Sequence, residues 1–349
     1  MELPNRNVLN SLAITLFAAL PALAGVAAAA PASADATVNK VVVIGLDGTM
    51  YKKVQEAKAP NLLKLASEGT LGQTSIAPHT TISGPSWATV LTGVWDTKHG
   101  IYDNNVTAAP FAKYPTVFTQ LEKANPNLKT ESIATWHTIG IMAGSGDPHA
   151  DVNIGTPDQP DDPTEAKIDS VTADTSAAAI ANDAPDFLFT HLDQVDEAGH
   201  GHGGASPEYL EAVKRVDAEV GKIVAAVDAR AKSHPNEKWN ILVTCDHGHK
   251  PGGGHGGQSA DETANFLIAR GPAFKAGVTN STNSLVDITP TAVALLGVKP
   301  SPDFDGKPIA GGGGTAPSTG SFGLDLPGTG SGNGSISEAE PLEIPADQN

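Results

Sequence analysis

Aspartate and histidine gather in short clusters along this chain, most of them directly after apolar runs. Asp47 follows the run 41–46, and Asp196-Glu197-Ala198-Gly199-His200 comes just after 186–192. Asp246-His247-Gly248 follows 240–245, and Gly254-His255-Gly256-Gly257 stands a few residues further on. Carboxylate and imidazole together suit zinc and similar divalent ions. A single Asp after a strand is ordinarily a cap or turn residue, so the clusters gain meaning only if the fold unites them. A second feature is Thr81-Ile82-Ser83-Gly84-Pro85-Ser86-Trp87, which runs on to Thr92-Gly93. A hydroxyl here would stand at a helix N-terminus, where the dipole and free N–H groups favour anions. The alternative for the same residues is an ordinary Ser/Thr cap.

The elements that must position these groups alternate. The runs 41–46, 186–192, 240–245 and 265–269 are continuously apolar, as strands buried on both faces should be. A further short strand is expected near 73–77. Between them, 60–67 opens with Pro at the helix start, and 289–296 ends on Gly297. The segment 207–231 repeats Leu210, Val213, Val216, Val220, Ile223, Val224 and Val227 at helical spacing. This alternation predicts an α/β fold, a doubly wound, mostly parallel sheet flanked by helices. Ligands then collect at the carboxyl ends of the strands, where the Asp and His clusters fall.

With these motifs in order, the chain resembles the alkaline phosphatase superfamily, and within it the type I phosphodiesterase/nucleotide pyrophosphatase branch. The resemblance spans about 40–309. It rests on Val43-Ile44-Gly45-Leu46-Asp47-Gly48, the 83–93 segment continuing to His99-Gly100-Ile101, Asp196-x-x-Gly199-His200, Asp246-His247-Gly248 and His255-Gly256. It implies an alkaline phosphatase-like fold and two divalent metal ions, expected to be zinc. Asp196, His200 and His255 would hold one. Asp47, Asp246, His247 and the Ser83 oxygen would hold the other. Ser83 would be the nucleophile, giving a phosphoryl-serine, and Asn104 would contact a phosphate oxygen, with the Gly84 N–H able to join it. Thr81 is the alternative nucleophile, or else a support for the helix start. His191 and Asp193 are placed to orient ligands, His137 has no assigned role, and His202 reads as an exposed or supporting histidine. The segment also resembles the sulfatase signature, but that signature has Arg where Trp87 stands, which points back to the dimetal phosphatase side.

Composition narrows the function classes. Lys plus Arg is 22 against 39 for Asp plus Glu, a net charge of −17, so a nucleic-acid-coating role is excluded. The sole cysteine, Cys245, allows no internal disulfide and reads as a small core residue. Residues 1–34 read as a signal peptide, apolar and Ala-rich, ending on Ala32-Ser33-Ala34; a periplasmic or secreted location follows, with no membrane anchor after cleavage. Residues 311–349 are a flexible Gly/Ser/acidic tail without Lys or Arg, leaving 35–310 as the catalytic domain. The expected activity is a secreted phosphodiesterase or nucleotide pyrophosphatase acting on small phosphate esters. A phosphomonoesterase of the same superfamily is the alternative, ahead of a sulfatase or a noncatalytic metal-binding protein.

Overall fold

Apolar β-branched residues fill the first strand from Val41 to Ile44, and all of them are buried, so this strand has a helix layer on each side. The computed structural model describes residues 37–309. The expected signal segment 1–34 and tail 311–349 lie outside the described residues. In chain order the elements are β1 (Val38–Leu46), α1 (Tyr51–Glu56), α2 (Pro60–Glu68), β2 (Thr70–Ser75), α3 (Ser83–Thr92), α4 (Asp96–His99), α5 (Val117–Ala124), β3 (Thr130–Ala134) and α6 (His137–Ala143). They continue as β4 (Val152–Gly155), α7 (Ala166–Asn182), β5 (Phe187–Leu192), α8 (Gln194–His202), α9 (Pro207–Ser233), β6 (Glu237–Thr244), β7 (Ala264–Arg270), β8 (Val278–Asn280) and α10 (Ile288–Leu295).

The strands make one eight-stranded sheet in the order β4-β3-β5-β1-β6-β7-β2-β8. Only β7 runs against the rest: its pairings with β6 and β2 are antiparallel, and the others are parallel. The mostly parallel α/β architecture is therefore as the sequence predicts. The reversal of β7 has a local cause. No helix crosses over between β6 and β7, so the chain re-enters the sheet from the edge at which it left. The strand expected near 73–77 forms earlier, at Thr70–Ser75.

Alternate β1 residues face two separate cores. Val42, Ile44 and Leu46 join Leu62, Ala173, Val213, Val216, Val220 and Ile223 from α2, α7 and α9. Val41 and Val43 join Trp87, Leu91, Phe118, Ile139 and Val293 from α3, α5, α6 and α10. Each of the larger aliphatic and aromatic side chains among them contributes roughly 1.5–3 kcal/mol on burial. The α9 stripe is the one the periodicity predicts, and Ser206 caps the helix by accepting from the Tyr209 N–H. Asp217, inside that stripe, accepts from the Asn61 and Leu62 N–H groups and so caps α2. Cys245 is buried and free. Among the described residues no helix is long and apolar enough to cross a membrane.

His99 closes a polar chain onto α3. Its Nδ1 accepts the Ile101 N–H at 3.1 Å, which puts the ring proton on Nε2, 3.1 Å from Thr89 Oγ1. Thr89 passes its own proton to the Pro85 carbonyl. Burial pushes the His99 pKa down to about 4. An unfolded histidine titrates near 6.5, so below that pH the unfolded chain takes up a proton that the folded one refuses. This contribution is complete above pH 6.5 and is lost as pH falls toward 4, amounting to roughly 3 kcal/mol. Urea unfolding of wild type and His99→Asn at pH 7.5 and pH 4 should show the stability gap between them shrinking by about that amount; an unchanged gap would refute the assignment.

Candidate metal centre

The central strands deliver their ends in register. Gly45 pairs with His191 on β5 and with Thr244 on β6, so Asp47, Asp193 and Asp246 follow at matching positions along one sheet edge. Beyond β1 the turn 47–50 is held by Tyr209 of α9, whose hydroxyl donates to the Gly48 carbonyl and accepts the Met50 N–H. Beyond β5, α8 presents Asp196 and His200 on one face, four residues apart. Its start is fixed by the buried Asp169 carboxylate, which accepts from the Asp193 and Gln194 N–H groups.

Of the carboxylates packed into this corner, Asp47, Asp246 and Asp196 each have one oxygen tied to an N–H group. Asp47 Oδ2 lies 2.7 Å from Trp87 Nε1 and 3.0 Å from His191 Nε2. Asp246 Oδ1 accepts the Gly48 N–H at 3.0 Å. Asp196 Oδ1 lies 2.6 Å from His249 Nε2. The remaining oxygens face a shared space. Asp246 Oδ2 is buried without a hydrogen-bond partner, although His247 Nε2 stands 3.0 Å away. His247 Nδ1 faces the Gly248 carbonyl at 3.3 Å, which leaves Nε2 as a bare acceptor. A nitrogen lone pair confronting a carboxylate oxygen at this distance is reconciled by a proton or by a metal cation between them.

The same logic holds at the second cluster. His255 Nδ1 gives its proton to the Thr81 carbonyl at 2.8 Å, so its Nε2 is also bare. That nitrogen lies 3.0 Å from His200 Nε2 and 3.8 Å from Asp196 Oδ1, while His200 Nε2 is 3.1 Å from Asp196 Oδ2. Asp47, Asp246 and His247 offer ligand atoms within 4.8 Å of one another, as do Asp196, His247, His249 and His255. These clusters could bind metal, and their nitrogen and oxygen donors suit zinc. Burial pushes the Asp246 pKa well up, helped by the negative charges of Asp47 and Asp196. Burial also acts to raise Asp196, but hydrogen bonds from His200 and His249 outweigh it and hold that carboxyl well below its usual range. The His247 imidazole is pushed down to about 4 by burial and by His255, so it is neutral at pH 7, as a ligand must be.

Ser83 opens α3 with its Oγ 3.3 Å from His247 Nε2 and 3.5 Å from Asp47 Oδ1. The structure thus brings Asp47, Ser83, Asp246 and His247 together, and Asp196, His200 and His255 beside them. Asn104 is exposed, and its Oδ1 accepts the Gly84 N–H at 2.8 Å. That N–H is therefore taken, which corrects the expectation that Gly84 would join Asn104 in contacting phosphate. The contact needs glycine: a Cβ at residue 84 would come 2.6 Å from the Asp103 carbonyl. Thr81 does not support the start of α3. Its hydroxyl donates to the Gly257 carbonyl and accepts the Gly256 N–H, so with its own carbonyl it brackets His255. His137 is an exposed first residue of α6, and His202 is exposed at the end of α8. Sequence reasoning missed His249, although it is a further histidine in Asp246-His247-Gly248-His249. It also saw Trp87 only as a missing arginine.

Residues 41–301 match the family described as type I phosphodiesterase / nucleotide pyrophosphatase. Human ectonucleotide pyrophosphatase/phosphodiesterase family member 7 is 26% identical over 255 residues, covering 68% of this chain and 53% of its own length. The chain thus spans about half the length of the curated relatives it matches. Among solved structures, murine ectonucleotide pyrophosphatase/phosphodiesterase 5 superposes with a TM-score of 0.58 at 14% identity, over 75% of this chain and 96% of that one. A four-substitution mutant of the alkaline phosphatase PafA gives 0.62 at 12%, over 80% and 99%. At these identities the solved structures establish an alkaline phosphatase-like fold.

The Thr81 bracket can be tested alone. Thr81→Val keeps the shape but removes the bonds to the Gly256 N–H and the Gly257 carbonyl, which water can partly replace because Gly256 is exposed, at a cost of about 0.5–1.5 kcal/mol per bond. Hydrogen exchange read by mass spectrometry should speed up in peptides covering 251–258 and stay unchanged in β1; unaltered exchange there would remove the bracket.

Proposed function

This chain belongs to the type I phosphodiesterase / nucleotide pyrophosphatase family, and we propose that it hydrolyses phosphodiester or pyrophosphate bonds of small nucleotide-like esters through Ser83. The observation that carries the proposal is Ser83 Oγ at the N-terminus of α3, facing Asp47 Oδ1 and His247 Nε2. The Thr81 hydroxyl is occupied by the 255–257 loop, which favours Ser83 as the attacking group.

Asp196, His200 and His255 would hold one divalent cation, and Asp47, Asp246, His247 and Ser83 Oγ another, with zinc the best match to the donors. When bound, such a pair neutralises charge on the transferred phosphoryl group and favours the ionised serine. Ser83 Oγ attacks phosphorus in line with the ester oxygen that leaves, forming a phosphoryl-serine that water then hydrolyses. At the start of α3 the Gly84 N–H is taken by Asn104, Pro85 has none and the Ser86 N–H donates to the Ile82 carbonyl, so the Ser83 N–H is the one left to face the anion. The Gly84 N–H holds Asn104 by Oδ1, so Nδ2 is the end turned outward to donate to a phosphate oxygen.

Diester preference follows from the charge of the donors. A monoester dianion asks for a cationic clamp, whereas Asn104 is neutral. All three arginines of the described chain are engaged elsewhere: Arg215 with Gln194, Arg230 with Glu237, and Arg270 with Asp228 and Glu68. The 1–34 pattern supports export to the periplasm or the medium.

Purified protein should carry two divalent ions per chain, and long dialysis against chelator should abolish turnover. Ser83→Ala should lose about a thousandfold or more in kcat while retaining its fold. Asn104→Ala should lose about a hundredfold on a nitrophenyl diester, the worth of one transition-state hydrogen bond, and less on the matching monoester. Wild-type preference for the monoester by about tenfold would transfer the assignment to a phosphomonoesterase. Full activity in Ser83→Ala would end the proposal.

A further inference from the structure

Trp87 makes a contact that the reaction as described does not use. It lies on α3 four residues after Ser83, so both side chains leave the same helix face. Its side chain is fully buried, and the indole Nε1 donates to Asp47 Oδ2 at 2.7 Å. The ring crosses β1 at Gly45, two residues before Asp47. A Cβ there would stand 2.6 Å from the ring, so the central strand opens a slot at this one position. His191 flanks the indole edge-on, with ring centroids 5.0 Å apart, and approaches the same Asp47 oxygen. Oδ2 is thereby saturated, and Oδ1 is the oxygen turned toward Ser83 Oγ and His247 Nε2.

We propose that Trp87 is a positioning residue that ties the Ser83 helix to Asp47, holding Oδ1 aimed at the cation site. This role rests on the proposed reading that Asp47 holds a divalent ion. An indole N–H is suited to the task. It is a donor only, and it brings no positive charge that would compete with a bound cation for the carboxylate. An arginine at the same place would bring that charge against Asp47. Because Ser83 and Trp87 share one rigid turn, the bond from Trp87 also fixes the approach of Ser83 Oγ to Asp47.

The test uses the full chain, stripped of metal and titrated with zinc against a chromophoric chelator. Trp87→Phe keeps a ring in the slot beside Gly45 and removes the N–H. It should weaken one of the two zinc sites by about 10- to 100-fold and leave the other at wild-type affinity. In wild type, the indole ¹⁵N–¹H signal of Trp87 should move as that site fills. The signal is assigned by its loss in Trp87→Phe, or by elimination with single substitutions of Trp95, Trp136 and Trp239. Two zinc sites of wild-type affinity in Trp87→Phe would overturn the proposal. Should that variant fail to fold, the wild-type signal decides: a shift on filling supports the role, and an unmoved signal overturns it. Wild type that takes up fewer than two ions would sink the dimetal reading itself, and is thus distinguishable from a failure of Trp87 alone.

Discussion

Three carboxylates shut into one corner of a protein must each be answered, and the architecture around Asp47, Asp196 and Asp246 is arranged to do so. Two like charges about 4 Å apart repel by roughly 4 kcal/mol at an effective dielectric constant near 20. Left alone, such a cluster would protonate, and Asp246 is already driven that way. Asp47 and Asp196 keep their charge because donors reach them from different layers. Trp87 arrives from the α3 side of the sheet and His191 from β5, both on Asp47. His249 arrives from the β6–β7 connection, onto Asp196. The layer order of the fold is therefore also the wiring of the site.

That wiring has a rigid base and an open rim. Asp47, His191, Asp246, His247 and His249 are fully or almost fully buried. Asn104 and His200 are exposed. Strand ends and helix starts set the base, so its positions are as precise as the sheet. The rim belongs to segments such as 102–105, exposed throughout.

The base was more legible in the sequence than the rim or the supports. Asp47 and Asp246 end apolar runs, and a strand end is visible in one dimension. Asp196 and His200 have helical spacing, and the α9 stripe has helical period. What failed to show is what depends on partners distant in the chain. His249 looks like one more loop histidine until β6 and α8 are neighbours. The Thr81 hydroxyl looks like a helix cap until the 255–257 loop folds over it. The direction of β7 was hidden because a buried antiparallel strand carries the same apolar run as a parallel one. The early start of β2 was hidden because Thr70, Gly72 and Gln73 make a weak strand signal.

The connection from β6 to β7 carries His247, His249 and His255 on one excursion that leaves and re-enters the same sheet edge. Both of its ends are fixed by pairing between neighbouring strands. Closing such a loop costs little more when it grows, about 0.6 kcal/mol for a doubling of length. Its length is thus constrained by geometry and hardly at all by energy. A residue gained or lost between 249 and 255 would slide His255 against its neighbours and leave the sheet intact. A residue gained or lost inside β6 would turn every side chain beyond it to the opposite face. The spacing of the histidines is therefore set outside the strand register, in a turn at 250–254 that is itself anchored to the α8–α9 connection through the Gly204 and Ala205 N–H groups on the Lys250 and Pro251 carbonyls.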